Sequence, residues 1–317
     1  MPMTLEQYAE FLTTKDLVWP MPPTPQPVKA KPHIAPMPGI RLVSWNIYGT
    51  LLSVATGNLV FHHPQKLIME VAFDKTVKEF KMWGSMSRKP GQPSEYMGQL
   101  YERALDQLRL APSHGEKFPE ILAEKIWEDI VKKLQQKDYQ YDASFFGPLP
   151  EYVKKIALFF HASIQGTVLY PGAADALRHI VSCGVKSGFI ADAQCFTLAQ
   201  LARALATENA GSLDELFDRS QRLLSWEQGG KKPSERLFKQ ALAAANKLGI
   251  EPGAILHIGS RIIEDIAPAK KWGMRTALFA GDKESLKATP EQLKDASTRP
   301  DLLLTDLSQL VEVIGPS

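Results

Sequence analysis

The sequence predicts an α/β protein in which a parallel sheet, covered by helices on both faces, is interrupted by an all-helical insertion. Three observations carry this reading. Short apolar runs at 41–46, 185–191, 254–259, 275–279 and 301–304 alternate with segments of helical period, the pattern of strand–helix–strand units. The stretch 60–165 keeps helical period with no convincing strand inside it. Polar residues follow apolar runs at several places, where open α/β sheets present ligand-binding groups.

Taken in order, residues 1–40 stand apart. Thr4-Leu5-Glu6-Gln7 has capping-box spacing, so a short helix follows, with Tyr8, Phe11 and Leu12 available for docking. Eight prolines from Pro20 to Pro38 then predict an extended arm without ladder bonds. The arm either lies along the domain or acts as a tether for a protein partner. Residues 41–58 open the α/β core with a buried strand at 41–46. Residues 59–167 form the insertion, roughly the size of a small domain. Its first helix places Ile68, Val71, Ala72 and Phe80 on the apolar side. Later helices repeat Met97, Tyr101 and Leu105, then Ile126, Ile130 and Leu134, at intervals of four. A fourth begins near Pro150, a residue suited to a first helical turn. Residues 168–317 complete the core, with helices at 173–180, 197–205, 234–248, 262–272 and 307–313 and a short strand at 222–226. Gly249 stops the helix that precedes it.

The totals narrow the function classes. A hydrophobic share of 44% and a charged share of 23% suit a globular protein. Net charge is +2, so no bulk field recruits nucleic acid or an anionic membrane. No apolar run reaches the length of a membrane span. The N-terminus lacks the layout of a secretion signal, and two cysteines, Cys183 and Cys195, do not make a disulfide framework. The expected location is the cytoplasm.

Four positions carry the chemistry: Asn46 with Tyr48, Ala191 with Asp192, Lys231-Lys232-Pro233, and Gly259-Ser260 with Asp265 five residues on. Together with Gly49-Thr50, Leu169-Tyr170-Pro171-Gly172, Phe238 and Trp272-Gly273-Met274, their order resembles the haloacid dehalogenase (HAD) superfamily of hydrolases. The resemblance covers residues 41–315 and implies a Rossmannoid sheet with a C1-type helical cap in the insertion. It also implies a first-motif aspartate that attacks phosphorus and a second aspartate that works as acid and base. A magnesium ion, a hydroxyl after the second-motif strand and a third-motif lysine would stabilise the transferring group.

This chain departs from that pattern. Asn46 stands at the nucleophile position, and a neutral amide oxygen is a poor nucleophile. Tyr48 stands at the acid/base position, Ala191 at the hydroxyl position, and Ser260 at a metal-binding aspartate. Lys232, Asp265, Gly49 and Thr50 are retained. Thr50, Ala191 and Asp192 are the expected substrate-pocket positions, with Ser260 and Asp265 at the metal positions. Magnesium favours carboxylate oxygens, so at most a weak magnesium site is expected, with Glu264 or Asp192 as the only substitutes. Tyr48 and Ser260 also resemble the metal-free 2-haloacid dehalogenase branch, but that branch keeps the aspartate nucleophile. The leading expectation is a catalytically impaired pseudoenzyme that binds a small phosphorylated or carboxylate ligand, or a partner protein. The alternative is an active hydrolase, a phosphomonoesterase or a dehalogenase, with divergent residues. His62-His63, His257 and Cys195 read as surface or packed residues.

Overall fold

The structure, a computed structural model, describes residues 1–86, 91–111 and 115–315. Its strands are β1 (Leu42–Trp45), β2 (Leu52–Val54), β3 (Thr167–Leu169), β4 (Lys186–Ala191), β5 (Arg222–Leu224), β6 (Ile255–Gly259), β7 (Arg275–Phe279) and β8 (Leu302–Leu304). Six of them form a parallel sheet in the order β5-β4-β1-β6-β7-β8. In the register at its centre, Trp45 lies beside Phe189 on one side and Ile258 on the other.

The helices are α1 (Leu5–Thr13), α2 (Lys66–Glu79), α3 (Pro93–Leu110), α4 (Ala123–Gln135), α5 (Ala143–Phe146), α6 (Leu149–Ile164) and α7 (Ala173–Ser182). They continue with α8 (Thr197–Thr207), α9 (Leu213–Leu216), α10 (Ser225–Gln228), α11 (Glu235–Asn246), α12 (Ala267–Lys271), α13 (Pro290–Lys294) and α14 (Leu310–Val313). The alternation of side chains along a strand sorts them onto two faces. Val43 and Trp45 point into a core with Leu177 of α7, Leu201 of α8 and Leu310 of α14. Leu42 points the other way, with Leu237 and Ala241 of α11 and Ala269 of α12. Covering both faces explains why β1 and β6 are buried along their whole length.

Helices α2 to α6 lie between β2 and β3 and share a core of their own. Phe160 is its hub, stacked on Phe73 at 5.1 Å and set obliquely to Tyr101 at 4.8 Å and edge-on to Trp127 at 5.2 Å. The buried face of α2 is Met69, Ala72, Phe73 and Val77, whereas Val71 is exposed. Of the expected stripe, Ala72 and Phe80 are buried and Ile68 packs against the same core, so Val71 alone departs from it; the aromatic cluster turns the buried face toward Phe73. The short antiparallel pair β2–β3, unforeseen at three residues a strand, closes the base of the insertion. There Gln165 donates to the Ala55 and Asn58 carbonyls, both at 3.0 Å, and accepts from Val60 N at 2.8 Å.

The N-terminal arm lies along the protein and touches both parts. Thr4 and Gln7 form the anticipated capping box. Tyr8 and Leu12 are fully buried in the core of the insertion, and Trp19 meets Phe159 edge-on at 5.4 Å. Further along, Gln26 N donates to Asp282, and His33 exchanges two backbone bonds with Leu303 at the β8 edge. Among the described residues no helix is long and apolar enough to cross a membrane.

Candidate functional site

Asn46 follows β1 directly and stays tied to the sheet, its backbone N–H donating to Ile258 O at 2.8 Å. Gly49 then takes φ +81°, a conformation costly for any residue with a Cβ, and a Cβ there would stand 2.8 Å from Gly57 O. This turn fixes Asn46 at the carboxyl end of the strand. Both ends of the buried Asn46 amide are engaged: Nδ2 donates to Tyr48 O at 2.8 Å, and Oδ1 accepts from Lys232 Nζ at 2.7 Å.

Lys232 is the hub. Its ammonium also donates to the Asp265 carboxylate, both side chains being wholly shielded from solvent, and its backbone N–H donates to Asp192 Oδ1 at 2.7 Å. Asp265 accepts in addition from Arg261 N at 3.0 Å. The residues from β6 onward place it there. A wide helical turn, Ile262–Ile266, precedes α12 where the sequence suggested one continuous helix. Pro268 lacks the N–H that a regular ladder needs at that point. Arg261 is buried, and its guanidinium donates to Gly57 O.

Electrostatics follow from this packing. Burial by itself raises a carboxyl's pKa, but the adjacent Lys232 ammonium outweighs it and holds Asp265 well below the usual carboxylate range. At Asp192 burial prevails over Lys232, and its pKa is raised. Burial likewise pushes the Tyr48 phenol far above its ordinary value.

An open cavity of about 570 Å³ lies over these groups; its walls include Asn46, Tyr48, Asp192, Lys231, Lys232 and Arg261. Thr50 and Ala191 are fully buried and are not part of its wall, so the structure does not bring these two expected pocket residues to the cavity. Tyr48 contributes to the wall, but its hydroxyl is turned to Thr197 at 2.9 Å and Gln200 Oε1 at 2.6 Å. Ser260 and Asp265 lie below the cavity. The Ser260 hydroxyl, the Thr50 hydroxyl and Arg261 Nε are shielded from solvent without a hydrogen-bond partner among the described residues.

Other parts of the site escaped the sequence reading. Arg261 had a signal, since it directly follows Ser260 at a strand end. Phe118 and Glu120 had none, because they come from the loop before α4. Glu120 accepts from Ser225 Oγ at 2.5 Å and Gln194 Nε2 at 3.1 Å. Phe118 O accepts from Lys231 N at 2.9 Å, so the insertion is bonded to the loop that carries Lys232. His62, His257 and Cys195, which the sequence singled out, lie outside this network or beneath it. His62 pairs with Glu102 at 2.8 Å on the surface, His257 is buried with Nδ1 3.2 Å from Ser44 Oγ, and Cys195 is buried and free.

The family described as HAD-hydrolase-like matches residues 230–310. The glyceraldehyde 3-phosphate phosphatase of Pyrococcus furiosus is 31% identical over 209 residues, spanning 65% of this chain and 74% of that protein. The chain belongs to the HAD-like hydrolase superfamily. The Pyrococcus abyssi protein of the same description is 32% identical over 109 residues, 34% of this chain and 41% of its own. A solved 2-haloacid dehalogenase from Pseudomonas syringae pv. Tomato DC3000 shares the HAD-like fold, with a TM-score of 0.51 and 20% identity over 86% of this chain and 97% of that one.

The magnesium ion that HAD membership brings to mind finds a poor donor set here. Asn46 is neutral and engaged at both ends, and its amide occupies the Tyr48 carbonyl. Ser260 offers a neutral hydroxyl, and Asp265 is paired with a buried ammonium. Among the described residues no group of three His, Cys, Asp or Glu side chains is arranged to hold a metal. These residues do not fit magnesium, which asks for carboxylate oxygens in octahedral array.

Proposed function

We propose that this HAD-like chain is a pseudoenzyme that binds a small phosphate- or carboxylate-bearing ligand without hydrolysing it, the helices α2 to α6 serving as its cap. The observation that carries the reading is the Asn46 amide. Its oxygen accepts from Lys232 and its nitrogen donates to Tyr48 O, so it carries no negative charge toward the cavity and its oxygen is already held by an ammonium. Lys231 and Arg261 line the same cavity without an ion pair among the described residues, which favours an anionic ligand. The phosphorylated compound in the Pyrococcus furiosus relative's name is consistent with that class. Cys183 and Cys195 are both buried and are not disulfide-bonded.

Turnover by the native protein and by Asn46→Asp, side by side, tests this. The substrates are phosphomonoesters with magnesium and 2-haloacids without it, and binding is followed by calorimetry. The native protein is expected to bind phosphomonoesters and leave them intact. Native turnover that persists through further purification and survives in Asn46→Ala would overturn the reading. Two observations favour a second reading, an active hydrolase: the resemblance to a phosphatase at 31% identity, and Asp192, a half-buried carboxyl of raised pKa in the cavity wall that is suited to proton transfer. In that case activity would be lost in Asp192→Asn.

A further inference from the structure

The cavity over Asn46 has a neighbour. A second one, of about 540 Å³, lies against the same wall: Phe118, Pro233 and Ile263 line both. Beyond that shared wall the second cavity is walled by Pro268 and Trp272 and edged by charges of both signs, Glu116 and Glu235 with Arg236 and Lys271.

One feature sets it apart from ordinary surface. Ile263 is 48% exposed and Phe118 39%, large apolar side chains left open to water beside a polar site. Within the turn that carries Asp265, Ile262 and Ile266 are wholly buried while Ile263 turns outward, so the exposure belongs to one position.

We propose that the second cavity is a subsite for a bulky apolar group, of aromatic size, on the same ligand whose anionic end lies against Lys231 and Arg261. This rests on the anion-binding reading above and narrows it. The ligand is an elongated amphiphile, an aryl- or alkyl-bearing phosphate or carboxylate, larger than a three-carbon phosphate. The occupant follows from continuity: a group entering past Phe118 and Ile263 remains covalently joined to an anion in the first cavity. Each cavity falls in the size range of small-molecule sites.

Calorimetric titration of the full chain with naphthyl phosphate, glycerol phosphate and naphthol tests this. Naphthyl phosphate is expected to bind at least about tenfold more tightly than glycerol phosphate, the difference that burying a ring should make. Trp272→Ala should erase that difference and leave the glycerol phosphate affinity within about twofold. Ile263→Ala shortens an exposed side chain without adding charge beside the anion, and if Trp272→Ala fails to fold it should weaken naphthyl phosphate while leaving glycerol phosphate within about twofold. Equal affinities of the two phosphates for the native protein would overturn the subsite and leave the anion-binding reading standing. If neither phosphate binds, the anion-binding reading falls and the subsite with it. Naphthol binding as tightly as naphthyl phosphate would overturn the single joined ligand.

Discussion

At position 46 a nitrogen does what a carboxylate oxygen cannot: it donates a hydrogen bond to the Tyr48 carbonyl. With the Asn46 oxygen on Lys232 and Lys232 on Asp265, the three side chains form one buried chain of bonds. The Lys232–Asp265 pair is therefore a structural element of the site. Removing one partner strands the other charge in a shielded environment. Asp265→Ala should lower unfolding free energy by about 3–5 kcal/mol in a denaturant titration. The paired replacement Lys232→Met with Asp265→Leu should recover most of that loss. A single variant as stable as the native protein would show that water reaches the stranded ammonium. Asn46, Lys232 and Asp265 were legible because each closes an apolar run or sits at a fixed offset from one. The partner of each was not, since Lys232 lies 186 residues from Asn46 and 33 from Asp265 along the chain.

The helix at 234–248 and the strand at 275–279 appear as α11 and β7 with bounds within a few residues. Among the three-residue strands, β5 and β8 were legible, whereas β2 and β3 were not, so length alone did not decide. Strands β2 and β3 matter because Gly166 lies beside β3, where the arm crosses. A Cβ at Gly166 would meet Pro20 O at 2.5 Å, Pro22 N at 2.7 Å and Met21 C at 2.8 Å, all backbone atoms without side-chain freedom to yield. Gly166→Ala should therefore lift the arm from its bed at a cost of about 1–3 kcal/mol. Trypsin should then cut after Lys29 faster than in the native protein. Unchanged cleavage rates would mean that the arm is held by its ends alone, through Tyr8 and Leu12 at one and His33 at the other.

The whole molecule is held together across the cavity by few groups, and one of them titrates. Glu120 comes from the insertion, and its carboxylate is bonded to Ser225 and Gln194 of the α/β core. Burial raises its pKa from 4.5 to about 7, with Asp192 adding to the rise while the Ser225 bond and Lys231 oppose it. A carboxyl whose pKa is raised by folding binds more protons folded than unfolded, so stability falls as pH rises between those two values. Glu120→Gln removes that titration. The melting temperature of the native protein should fall relative to Glu120→Gln between about pH 5 and about pH 8, most of the divergence lying below about pH 7. Parallel curves for the two proteins would show that Glu120 holds no shifted proton.

The fold class, the helical insertion, the capped N-terminal helix and the identity of Asn46, Lys232 and Asp265 could all be read from the chain. Each depends on periodicity or on short-range order, which a linear sequence preserves. Tertiary packing alone decided that Val71 of α2 stays exposed, that the arm spans both parts, and that Thr50 and Ala191 are set back from the cavity. It also brought Arg261, Phe118 and Glu120 to the cavity wall. These outcomes depend on which distant surfaces meet, and burial, charge pairing and cavity shape arise only once they have met.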